Sequence, residues 1–335
     1  MTGKQLQEIP LSILDLAPIT AGNSAEATFK NSLLLAQRAE ELGYHRYWLA
    51  EHHNTESVAS SATAVLIGYI AGGTTTMRVG SGGVMLPNHA PLVVAEQFGT
   101  LASLYPGRID LGLGRAPGTD QLTAMALRRN RIESVHDFPE GVIALQNYFS
   151  KENSTAKVRA IPGEGLDIPI WILGSSTDSA RLAALLGLPY AFASHFAPTQ
   201  FIAAMDIYRN TFRPSKYLDK PYMMACINVI AADTDGEAER LVTSFYQLAL
   251  GLVTGMRKPL QPPVDNMDNL WNEYQEAMVK QMMLYTFVGG KDKINNELSL
   301  FQQQTQLDEM MVTSHIYDPG ARIHSYEVLK AAQNG

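Results

Sequence analysis

Residues 43–60 read GYHRYWLAEHHNTESVAS, and this stretch decides the fold. Tyr44 to Ala50 is an aromatic and apolar run with strand character, and Gly43 before it stands where a helix C-cap would. The polarity then switches abruptly to Glu51, His52, His53 and Asn54, and a helix follows from near Ser60. A carboxylate and two imidazoles at the C-terminal end of a buried strand lie where α/β folds place their chemistry. Adjacent strand residues point to opposite faces, so at most one of His52 and His53 faces a given pocket while the other packs or caps. Taken alone, the stretch is equally well read as a polar strand end with no chemistry.

The same alternation runs through the whole chain. Strands are predicted at residues 11–18, 44–50, 78–87 and 108–115, and again at 169–174, 190–195, 222–232 and 309–317. Helical spacing of apolar residues fills the intervals at 25–42, 62–72, 91–104, 121–131 and 138–149, then at 179–186, 198–211, 234–250 and 320–332. Strands alternating with helices imply parallel βαβ units, and eight such units in 335 residues imply a (β/α)8 TIM barrel occupying 1–335 as one domain. One segment breaks the rhythm. Residues 251–269 (GLVTGMRKPLQPPVDNMDN) are rich in Pro, Gly and polar side chains, and helices are predicted beyond them at 271–285 and 291–304. This insertion after strand seven, 251–290, is read as a lid-like region without periodic apolar anchors, mobile until ligand binds; a disordered loop is the competing reading.

Composition excludes several functions. A net charge of −7 without a basic run argues against nucleic acid or an anionic membrane as partner. Cys226 is the only cysteine and sits in an apolar run, so there is no disulfide framework and no thiolate metal cluster. With no secretory n- and h-region and no apolar stretch of ~18 residues, a cytoplasmic protein is expected. Fourteen Met and 14 Tyr suit an adaptable apolar pocket.

The other strand ends carry their own signals. Ser81-Gly82-Gly83 interrupts the third strand, which marks a bulge or the close approach of a flat ligand. Gly112-Leu113-Gly114-Arg115-Ala116-Pro117-Gly118 does not match the dinucleotide fingerprint. An arginine among glycines at a strand end suits an anion, or an ion pair with a neighbouring acid. Gly174-Ser175-Ser176-Thr177-Asp178-Ser179 joins strand five to a helix and reads as a phosphate cradle or as simple N-capping. His195 ends strand six, either satisfied structurally or facing a substrate. No metal site is expected, because the carboxylates and imidazoles at the strand ends are not spaced as a ligand set.

Four motifs together resemble the bacterial luciferase-like flavin monooxygenase family: Trp48-Leu49-Ala50-Glu51-His52-His53, Val79 to Pro87 (VGSGGVMLP), Pro106 to Arg115 (PGRIDLGLGR) and Leu173-Gly174-Ser175-Ser176. The resemblance covers essentially the whole chain. It implies a dark monooxygenase that uses reduced FMN and O2 on a small, apolar organic substrate. A separate NAD(P)H-dependent reductase would supply the flavin to a homodimer. His52 matches the catalytic imidazole, with Glu51 or a backbone carbonyl fixing its tautomer. Gly82 and Gly83 match paired small residues at a cis peptide under the flavin ring, Arg115 a phosphate arginine, and Ser175, Ser176 and Ser179 the phosphate loop. His195 is placed with the substrate. The second phosphate arginine of luciferase has no counterpart at Val135-His136-Asp137-Phe138; Arg128, Arg129 and Arg131 come earlier. The competing readings are an F420-dependent hydride-transfer enzyme of the same fold and a flavin-binding protein without turnover.

Overall fold

The computed structural model describes residues 3–116, 120–127 and 137–335. Its first half comprises β1 (Leu11–Asp15), α1 (Ala25–Glu41), β2 (Arg46–Leu49), α2 (Thr63–Gly72), β3 (Arg78–Ser81), β4 (Val84–Met85), α3 (Pro91–Leu104), β5 (Ile109–Gly114), α4 (Gln121–Leu127) and α5 (Phe138–Phe149). The second half comprises β6 (Ile170–Gly174), α6 (Thr177–Leu186), β7 (Tyr190–Phe192), α7 (Phe201–Thr211), β8 (Met223–Ala231), α8 (Asp235–Thr254), α9 (Glu273–Met282), β9 (Thr286–Gly289), α10 (Lys291–Thr305), β10 (Glu309–Thr313) and α11 (Pro319–Asn334). β1, β2, β3, β5, β6, β7, β8 and β10 pair in that order, every ladder is parallel, and β10 returns to β1. Eight strands therefore close into the expected barrel, ringed by helices.

Local chemistry sets the joints. Ser24 caps α1 by accepting from the Ala27 N–H at 3.2 Å, and Gly43 leaves the helix at φ 75°, a conformation that glycine adopts without Cβ cost. The strands then alternate strictly. Ile13, Tyr47, Val79, Leu111, Ile172, Phe192, Ile227 and Val312 pack outward against the helices. Leu14, Trp48, Trp171, Ala191, Cys226 and Met311 fill the barrel interior.

The N-terminal end of the barrel is plugged. Arg46 donates to Glu309 at 2.8 Å and to Asp110 at 2.6 Å, Trp48 Nε1 donates to Asp110 at 3.1 Å, and Tyr222 donates to Glu309 at 2.9 Å. Arg46, Asp110 and Glu309 are buried, and such a charge cluster persists only because its members satisfy one another. Trp48 and Trp171 meet edge to face at 5.2 Å above it. This floor confines the open end of the interior to the strand C-termini.

Three expectations change. The strand expected at 78–87 breaks at Gly82–Gly83, which are joined by a cis peptide; β4 resumes beyond it and pairs only with β5. β9, absent from the sequence reading, pairs with the C-terminal half of β8 from Asn228 to Ala231, after β8 has paired with β10 from Met224 to Asn228. The insertion is anchored rather than free of apolar contacts. Leu260 is fully buried, Met267 nearly so, and the Leu260 backbone bonds Ile19 and Ala21 at 2.8 Å each. Val264 N–H donates to Thr243 Oγ1 at 2.9 Å. Proline fixes the backbone here so that a few buried side chains suffice, a pattern that periodicity does not reveal.

Candidate active site

The backbone after β1 is the spine of the barrel mouth. Ile19 N–H donates to Ser57 O and Ala59 N–H to Ala17 O, while the other edge of residues 19–21 carries Leu260. The loop holding His52, whose N–H donates to Ser60 O at 3.1 Å, and the insertion strap thus flank one short extended segment.

His52 and His53 diverge as alternation requires. His53 Nε2 and His89 Nε2 each donate to Glu51 Oε1 at 2.9 Å, and the Met85 N–H reaches Oε2 at 3.2 Å. Burial alone would raise the Glu51 pKa, but these hydrogen bonds outweigh it and hold the carboxyl at about 2. His52 lies in phase with Trp48 and Ala50, toward the interior. Its Nδ1 is sealed from solvent and meets no partner, and Nε2 makes no hydrogen bond within the described protein. Burial lowers the His52 pKa. Glu51 opposes that shift, while the charges of His53 and of Arg257 on the strap reinforce it. Of the two partners the sequence offered for His52, Glu51 does not orient it, because both of its oxygens are already committed.

The cluster also revises the expected absence of a ligand set. Glu51, His53 and His89 bring their ligand atoms within 4.8 Å of one another. His89 caps the short helical turn that follows β4, four residues past the strand end, and the sequence reading did not count it among the strand-end residues. In this structure the three form a carboxylate held by two imidazoles.

Gly82 and Gly83 lie beside this loop, with Gly82 N–H donating to Leu49 O at 2.8 Å. A Cβ on Gly83 would stand 2.8 Å from the Gly112 carbonyl oxygen, so side chains are excluded where β3 and β5 converge. Arg115 leaves β5 toward the start of α6, its Nη2 3.9 Å from Asp178 Oδ2, with both groups exposed. Ser176 is the N-cap of α6 and accepts from the Ser179 N–H at 3.4 Å. The Ser179 hydroxyl is turned inward, donating to Ser176 O at 2.7 Å and meeting the Tyr190 hydroxyl at 2.9 Å. Of the three serines, Ser179 thus serves the loop's own structure, Ser176 caps, and Ser175 stays half-buried without a hydrogen-bond partner. Arg128, Arg129, Arg131, Val135 and His136 lie outside the described residues.

Across the mouth His195 is 9% exposed, with Nδ1 unpartnered. Burial, helped by His315 and His52, depresses its pKa to about 3. His315, Asn228 and Thr313 also belong to this side and were missed. The signal for His315 was present, since it continues the inward series Glu309, Met311, Thr313 along one strand. A cavity of about 280 Å³ at the opposite barrel end, lined by Phe149, Leu166, Ile170 and Tyr217, holds none of the unpartnered buried polar atoms.

The family model for luciferase-like monooxygenase matches residues 9–305. The chain belongs to this family. It is 57% identical to the uncharacterized protein YvbT of Bacillus subtilis, over 98% of both chains. It is 54% identical to a luciferase-like monooxygenase of Escherichia coli K12, over 96% of both. It is 33% identical to the N-acetyl-S-alkylcysteine monooxygenase of Bacillus subtilis, over 97% of this chain and 98% of that one. The crystal structure of apo-MsnO8 superposes with a TM-score of 0.87 at 34% identity, covering 97% and 98%. At 18% identity, a type II Baeyer-Villiger monooxygenase from Pseudomonas putida in complex with FMN shares the fold, with a TM-score of 0.69 over 96% of each chain. An F420-dependent secondary alcohol dehydrogenase shares it too, at 14% identity and a TM-score of 0.70, over 97% and 99%.

Proposed function

We propose that this family member is an FMN-dependent monooxygenase acting on a small organic molecule, with reduced flavin delivered by a separate NAD(P)H-dependent reductase. One observation carries the reading: β2, β3, β5 and β6 are consecutive in the barrel and present, in that order, an imidazole, a side-chain-free floor, a guanidinium and a capped helix N-terminus. Those features fit a flavin mononucleotide along its length. Arg115, the α6 N-terminus and the Ser175–Ser176 turn would hold the phosphate, where a dianion gains from charge-assisted bonds and the helix dipole. Gly82 and Gly83 would lie against the ring, and His52 would stand at its reactive edge. Bound reduced FMN supplies the two electrons with which O2 is split, one oxygen entering the substrate and one leaving as water.

The chain's own groups would do the rest. His52, neutral at physiological pH because burial lowers its pKa, can accept or pass a proton at Nε2. The strap around Arg257 and Leu260 would cover the mouth and limit water entry. The relative that oxidises an N-acetyl-S-alkylcysteine makes thioethers the first substrates to try. The test is oxygen uptake with reduced FMN against a panel of thioethers, aldehydes and ketones, read as product formed per flavin oxidised. Reduction of F420 by an alcohol, with no oxygen uptake on FMN, would replace this reading with hydride transfer. FMN binding without any oxygenated product would reduce it to flavin binding.

A further inference from the structure

The far side of the mouth carries polar groups that the flavin reading leaves unused. Ala191 on β7, Cys226 and Asn228 on β8, and Met311 and Thr313 on β10 face the interior, while His195 lies in the turn three residues past β7 and His315 two residues past β10. These strands are neighbours in the order β7, β8, β10, and Asn228 pairs in register with Thr313. Asn228 Nδ2 donates to His195 O at 2.7 Å and to Thr286 Oγ1 at 3.1 Å, which leaves Oδ1 as an acceptor with nothing to accept. Thr313 Oγ1 and the Nδ1 atoms of His195 and His315 are likewise sealed from solvent and unpartnered. Buried polar atoms are nearly always paired, so four orphans on three adjacent strand ends mark a place shaped for a polar ligand.

The surroundings narrow its chemistry. Phe245 stacks on His315 at 4.6 Å and Phe196 meets His195 edge on at 4.8 Å, so apolar surface frames the cluster. The charged groups felt by His315 are Arg322 and Asp15, which pair with each other at 2.8 Å; those felt by His195 are the imidazoles of His315 and His52. No uncommitted cation stands within the cluster among the described residues, so an anion would lose hydration without gaining a counter-charge. The Asn228 oxygen demands a donor. The imidazoles, whose tautomers no hydrogen bond at Nδ1 fixes, can each give or take one hydrogen bond at that atom.

Resting on the monooxygenase reading above, we propose that His195, Asn228, Thr313 and His315 form the site for the substrate's polar end, and that this end is a neutral secondary amide. Its N–H donates and its C=O accepts, matching a surface with both kinds of orphan. A substrate that is plain hydrocarbon would leave all four atoms unpaired.

The experiment is calorimetric binding to the flavin-free protein of four probes that share a phenyl group: N-benzylacetamide, N-benzyl-N-methylacetamide with one added methyl, benzyl acetate and 3-phenylpropanoate. The secondary amide should bind roughly tenfold tighter or more than the tertiary amide and the ester, since each of those leaves a buried acceptor unpaired. His195→Phe and His315→Phe, checked for folding by thermal melt, should each bring that ratio toward one. Equal or tighter binding of the ester or the carboxylate, or no binding of the secondary amide at millimolar concentration, overturns the proposal. So does a ratio that survives both substitutions. If neither variant folds, the wild-type ranking decides by itself. Because no flavin is present, FMN binding and oxygen uptake stand or fall separately.

Discussion

His52 and Arg115 carry the sharpest single-residue predictions. His52 makes no side-chain hydrogen bond within the described protein, so replacing it removes a proton-handling group and little packing. His52→Ala should keep most of its FMN affinity and lose roughly 10²-fold in product formed per flavin oxidised, with more hydrogen peroxide released. His53→Ala should act through stability, because it strips a donor from the buried Glu51 carboxylate, at a cost of about 1–3 kcal/mol. Product assays beside thermal melts separate the two, and wild-type turnover by His52→Ala would dismiss the assignment. Arg115 is exposed and only loosely paired with Asp178, so it is free to meet a phosphate. Arg115→Ala should weaken FMN by about tenfold, near 1.5 kcal/mol, and leave riboflavin unchanged, as read by fluorescence titration of both flavins. Equal losses for the two would make the residue structural.

At the scale of elements the insertion strap is the most informative. Composition alone suggested a mobile lid, but Leu260 is inserted in the wall beside β1 and tied there by two backbone bonds. In the free protein, residues 259–269 should therefore resist limited proteolysis. Leu260→Ala should open that segment to cleavage and cost about 2–4 kcal/mol, the usual price of a buried leucine truncated without collapse of the cavity. Cleavage of the wild-type strap at the rate of an unfolded peptide would refute the anchoring. Any movement over the mouth would then belong to the exposed residues 255–258, which include Arg257.

For the whole molecule the buried imidazoles set a pH dependence. His195 and His315 both have folded pKa values near 3, because burial disfavours their charged forms, against an ordinary value of 6.5. Below pH 6.5 the unfolded chain takes up protons that the folded chain refuses. Stability is therefore full above about 6.5 and falls with acidification, by about 1.4 kcal/mol per pH unit for each histidine. Glu51, ordinarily 4.5 and held at about 2, adds a loss in the same direction below pH 4.5. Chemical denaturation between pH 7.5 and 5 should show this slope, and replacing both histidines with Gln should flatten it. A slope unchanged in the double variant would place the acid sensitivity elsewhere.

The sequence by itself determined the barrel, since eight apolar strands alternating with amphipathic helices have few other ways to bury both faces of a parallel sheet. It also marked His52, Gly82–Gly83, Arg115 and the serine turn, because each interrupts its strand end with a residue that packing alone does not call for. Tertiary structure decided how these residues are partnered. Glu51 joined His53 and His89 instead of His52, the Ser179 hydroxyl turned inward to Tyr190, and His195, Asn228, Thr313 and His315 met at or just beyond the ends of neighbouring strands. β9 and the Leu260 anchor belong to the same class. The physical reason is range. Strand and helix periodicity is written in residues a few positions apart, whereas a hydrogen bond between residues 38 apart, such as Glu51 and His89, depends on strand order, register and closure of the whole barrel.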